Sequence, residues 1–125
     1  MLPAVFHTLP TTEFYFPERC HVIEIMNQSG IDFSIARIRV EPGVTTALHA
    51  LQGTTEAYYI LNGIGNLVLG NGEEHSVRTG DVVMFPADTP QKISNIGKDD
   101  LIFLVICNPR FVPESYIHLE EDEKV

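Results

Sequence analysis

The feature that most limits what this chain can become is a rhythm. Short apolar or alternating runs recur along it, and no window places apolar residues at i, i+3, i+4 and i+7 between helix caps. The runs fall at residues 13–16, 21–26, 31–40, 57–61, 66–69, 82–85, 92–96 and 101–107. From Ile35 onward the third run alternates, with Ala36, Ile38 and Val40 on one face and Arg37 and Arg39 on the other. Turn-forming groups separate the runs: Asn27-Gln28-Ser29-Gly30, Glu41-Pro42-Gly43, Asn62-Gly63, Asn71-Gly72, Thr79-Gly80-Asp81 and Asn95-Ile96-Gly97-Lys98. Asn71-Gly72 predicts a tight hairpin with both central residues at positive φ. Short strands with such punctuation predict an all-β, antiparallel sandwich or barrel.

Size and charge narrow the function classes. A length of 125 residues is that of one domain, and 44% apolar residues suffice for a core. The net charge of −9 argues against a nucleic-acid backbone or an anionic membrane surface as partner. Part of that charge is concentrated at residues 120–125, which read as a solvated acidic tail. Two cysteines are too few for a disulfide scaffold. No apolar run approaches the roughly 18 residues needed to span a bilayer, and the N-terminus lacks the pattern of a secretion signal. The expectation is a soluble, cytoplasmic protein. There is no internal repeat.

Two stretches carry chemistry, residues 43–63 and residues 80–95. In the first, Gly43, His49, Glu56 and Gly63 fit the pattern G-x5-H-x-H-x(3,4)-E-x6-G; in the second, Gly80, Pro86 and Asn95 fit G-x5-P-x-G-x2-H-x3-N. With these positions in register, the chain resembles the cupin superfamily. The resemblance implies a double-stranded β-helix (jelly-roll) barrel over residues 1–119. It also implies a homodimer in which residues 1–16 supply an exchanged N-terminal strand. Metal-binding cupins direct two histidines and a glutamate of the first motif, and one histidine of the second, into the barrel. Here those positions hold His49, Leu51, Glu56 and Gln91, and Asp88 replaces the second motif's glycine. Leucine cannot coordinate. His49, Glu56 and Gln91 remain as an imidazole, a carboxylate and an amide oxygen able to hold Zn, Mn, Fe or Ni with open positions for a substrate. The alternative is a metal-free pocket in which the same three side chains bond to one another and to a ligand.

Other residues have two readings each. Arg37 and Arg39 grip a ligand's carboxylate or phosphate if their face looks into the barrel, or lie on a solvated or subunit face. Tyr58 shares parity with Glu56, so the two form a candidate catalytic pair, unless Tyr58 is simply packed. Cys107 is a pocket thiol or a small buried hydrophobe. His7, His21, His75 and His118 are scattered and read as solvated. Three functions follow: a metal-dependent isomerase, epimerase, lyase or decarboxylase acting on a small carbonyl or carboxylate compound; a metal-free binding or sensing module; or a plain oligomeric scaffold. Within the resemblance an oxygenase is disfavoured, because such cupins hold iron with more strong ligands than this chain offers.

Overall fold

A computed structural model describes residues 2–120. The acidic stretch expected to be a solvated tail falls largely outside the described residues. Eleven strands alternate with turns: β1 (Phe14–Phe16), β2 (Cys20–Met26), β3 (Ser34–Val40), β4 (His49–Leu51), β5 (Thr55–Asn62), β6 (Ile64–Leu69), β7 (Glu74–Arg78), β8 (Val82–Phe85), β9 (Gln91–Asn95), β10 (Leu101–Asn108) and β11 (Tyr116–His118). They form two antiparallel sheets. One is six-stranded in the order β1-β2-β3-β10-β5-β8, and the other is five-stranded in the order β11-β4-β9-β6-β7. This is the jelly-roll barrel that the run-and-turn rhythm and the motif register predict. Among the described residues no helix is long and apolar enough to cross a membrane.

The strands exist because alternate residues have a core to enter. Along β5, Glu56, Tyr58 and Ile60 are buried while Tyr59 and Leu61 face out. Along β9, Gln91, Ile93 and Asn95 are buried. Between the sheets Val40, Ile60, Leu67, Phe85, Ile93, Leu101 and Phe103 pack into one cluster. Each large side chain there contributes about 1.5–3 kcal/mol by leaving water.

Two of the motif residues prove to be structural. Gly63 turns the chain from β5 to β6 at φ +97°, and a Cβ there would stand 3.0 Å from the Asp100 carbonyl oxygen. Only glycine meets both demands. Asn95 ends β9 by donating to the carbonyls of Val40 and Asp99, both at 2.8 Å, and by accepting from the Gly97 amide at 2.9 Å.

One local expectation is corrected. The β6–β7 loop takes positive φ at Gly72 and not at Asn71. The Asn71 side chain accepts from the Glu73 amide and the Gly72 amide bonds back to Leu69, which gives a longer loop than a two-residue hairpin. The turn at residues 52–54 carries the chain from one sheet to the other, so β4 and β5 are not hairpin partners.

Candidate functional site

That sheet crossing creates the site. His49 on β4 and Glu56 on β5 line one cavity from opposite sheets, and Gln91 on β9 is the direct antiparallel partner of His49. All three are buried, at 3%, 4% and 1% exposure. The cavity beside them has a volume of about 120 Å³. His49 and Leu51 line it from β4, Glu56 and Tyr58 from β5, Cys20 and Val22 from β2, Phe103 and Cys107 from β10, and Tyr116 from β11.

Glu18 joins them, and no feature of the sequence announces it. Within Pro17-Glu18-Arg19 it reads as an exposed turn residue. The structure turns it inward. Arg19 sits at φ +71°, a left-handed conformation rare for a side chain of its size. It is held there by its amide N–H, which donates to the Phe16 carbonyl, and by its guanidinium, which donates to the Thr45 carbonyl at 2.8 Å and pairs with Glu120 at 2.9 Å. The Glu18 carbonyl accepts from Ala47, two residues before His49. The Glu18 carboxyl then lies 3.5 Å from His49 Nδ1, and Tyr116 lines the same cavity.

Burial sets the protonation states. Desolvation, reinforced by the charge of Glu56, raises the Glu18 pKa to about 8 against the opposing pull of Arg19 and Tyr116. Desolvation raises Glu56 to about 7, although the Gln91 amide donates to its Oε1 and partly offsets that. Burial lowers His49, against the pull of its bond to the Ala47 carbonyl. The Nδ1 of His49 donates to that carbonyl at 2.8 Å, which fixes the tautomer and leaves Nε2 as an acceptor. Near neutrality the Glu18–His49 contact is therefore one between largely neutral groups. Burial keeps Tyr58 a phenol and Cys20 a thiol, and pushes Cys107 to about 12.

The expected site residues divide accordingly. Glu56, Tyr58, His49 and Cys107 line the cavity. Tyr58 also packs edge-on against Phe85 at 4.8 Å and in a tilted arrangement against Phe103 at 4.5 Å, as its packed reading expects. Gln91 is not among the lining side chains: its amide nitrogen holds Glu56, and its Oε1 is buried without a hydrogen-bond partner. Arg37 and Arg39 are corrected as pocket residues, because the face of β3 that lines the cavity carries Ala36 and Ile38. On the opposite face Arg39 binds Glu13 at 2.6 Å and Asp100 at 3.3 Å. Replacing Arg39 by Met should cost about 1 kcal/mol in urea unfolding, and less at high salt, because a partly exposed ion-pair network is screened. His21 is corrected too: it stacks edge-on with Tyr15 at 5.1 Å, and its Nε2 is buried.

Zn, Mn, Fe or Ni fits this donor set poorly. Leu51 occupies one ligand position, Gln91 turns its nitrogen toward Glu56, and one imidazole nitrogen and one carboxylate are left. Among the described residues, no three His, Cys, Asp or Glu side chains gather at metal-holding distances.

Comparison with known proteins agrees with this architecture. The family model described as a cupin domain matches residues 36–107. An uncharacterised protein of Methanocaldococcus jannaschii is 38% identical over 91 residues, covering 73% of this chain and 72% of that one. An oxalate-binding protein of Thermotoga maritima is 37% identical over 71 residues, a match that spans 57% of this chain and 58% of the relative's length. A solved structure described as a predicted oxalate decarboxylase, also from Thermotoga maritima, superposes with a TM-score of 0.76 at 24% identity, over 85% of this chain and 99% of that one. At that identity the likeness is one of fold.

Proposed function

Because this chain belongs to the cupin family, and Glu18 and Glu56 are among the carboxyl groups lining the cavity of its barrel, we propose that it binds a small organic molecule there and exchanges a proton with it. The observation that carries this reading is the pairing of Glu18 and Glu56 on one otherwise largely apolar and aromatic cavity. Carboxyl groups whose pKa values lie near neutrality can both give and take a proton at the working pH of a cell. Gln91 holds one oxygen of Glu56 and so orients the other, and Tyr58 offers a phenolic donor on the same wall. The oxalate-binding relative supports a small-molecule ligand in such a barrel.

The test is infrared titration. The protonated-carboxyl band should persist at about pH 6.5, fade by about pH 9, and shrink in Glu18→Gln and in Glu56→Gln. Absence of that band at about pH 6.5 would overturn the proton-exchange reading.

A second reading, a divalent ion on His49 Nε2, Glu56 and Gln91, is favoured by the unpartnered Gln91 Oε1. Metal analysis of protein purified without a chelating column separates the two. The acid–base reading expects far less than one ion per chain and a melting temperature indifferent to chelator. A stoichiometric ion lost in His49→Ala would establish the metal instead.

The same proposal includes a cytoplasmic homodimer. The support for association is the exposed apolar outer face of the six-stranded sheet, where Tyr59, Val82, Met84 and Ile106 lie.

A further inference from the structure

We propose that the cavity selects a small organic cation, an ammonium or amidinium compound with about half a dozen non-hydrogen atoms, over an anion of the same shape. This rests on the reading above, that the cavity is a ligand site, and adds the chemical class of the ligand.

The lining decides the sign of charge. Glu18, Glu56 and the exposed Glu24 line the cavity, contributed by the turn before β2, by β5 and by β2, and among the described residues no lysine or arginine does. The basic residues nearest to it are engaged elsewhere. Arg19 is bonded to Thr45 and Glu120, and Arg110 donates to Asn27 Oδ1 at 2.9 Å. Arg37 and Arg39 stand on the opposite face of β3. An anion in this space would meet carboxyl groups and no fixed positive charge, in surroundings that screen poorly.

The remaining wall favours a cation independently. Six aromatic side chains line the cavity: Phe14, Phe16, Tyr58, Phe103, Phe111 and Tyr116. Ring faces carry negative potential, and several rings around one space recognise ammonium groups. A cavity of about 120 Å³ is close in size to one of roughly 150 Å³ that accommodates benzene, which bounds the ligand.

Three probes of matched shape test the inference on the full chain: isobutylammonium, isobutanol and isobutyrate, titrated at about pH 8 with chemical shifts of the cavity residues as readout. Isobutylammonium should bind at least about tenfold more tightly than isobutanol, with isobutyrate weakest. Glu18→Gln and Glu56→Gln should each erase most of that preference. Isobutyrate binding as tightly as the ammonium, or isobutanol matching it, would overturn the inference and leave the ligand-site reading standing. No shift at any cavity residue with all three would remove that reading and the inference with it. The comparison among probes on the unmodified chain decides the matter even if a variant fails to fold.

Discussion

Asn95→Ala should unfold on the order of 10 °C below the unmodified chain, a loss of about 3 kcal/mol in urea titration. One buried amide ties three backbone groups: it donates to Val40 and Asp99 and accepts from Gly97. Alanine leaves two carbonyls and an amide without their partner where water reaches poorly, and each orphaned group costs about 1–3 kcal/mol when fully buried. The bonds join the end of β3, the end of β9 and the loop that starts β10, so their loss is felt in both sheets. Asn62→Ala removes a single exposed bond to the Asp100 carbonyl, and should cost under about 1 kcal/mol. If the two variants melted together, Asn95 would not be the tie described.

The second large effect concerns pH. Glu18 has a folded pKa of about 8 against an ordinary value of 4.5, and Glu56 about 7. Between the ordinary and the raised value the folded chain binds more protons than the unfolded one, so stability falls as pH rises through that window. It is highest below about 4.5 as far as these groups are concerned, and the loss is complete above about 8. His49 acts with the opposite sign below its ordinary value of 6.5, because its folded pKa is depressed. The clean window is therefore about pH 6.5 to 8.

Glu18→Gln removes the ionisable group and keeps its shape. Its melting temperature should exceed that of the unmodified chain at about pH 8.5, by a few kcal/mol in stability, and the gap should narrow toward about pH 5. Calorimetry across the window reads this directly. A uniform loss at every pH would mean that Glu18 is a conventional stabilising contact and that its burial has been misjudged.

The sequence reveals the barrel well because its signals are local. Alternation in β3 and β5 and the glycine turns need no knowledge of distant residues, and the motif spacing fixes the register between Glu56 and Gly63. What it conceals is non-local. A turn that changes sheets reads the same as one that closes a hairpin, so the β4–β5 crossing was not visible from residues 52–54. Glu18 reaches the cavity only because Thr45, Ala47 and Glu120 seize the turn beside it, and none of these is near it in sequence except through the fold. Parity told that Arg37 and Arg39 oppose Ala36 and Ile38, yet which face looks inward is decided by the sheet across the barrel. Gln91 was legible as a buried polar residue at a motif position; its choice of Glu56 over the cavity is a matter of rotamer.

The left-handed turn at Arg19 couples two ends of the molecule. The same guanidinium that steadies the turn clasps Glu120, the last described residue, 101 positions further along the chain. An acid on the cavity wall is thus latched from the surface by the C-terminal segment. Whatever draws that segment away, whether a fused sequence or an associating protein, also loosens the grip that keeps the acid turned inward.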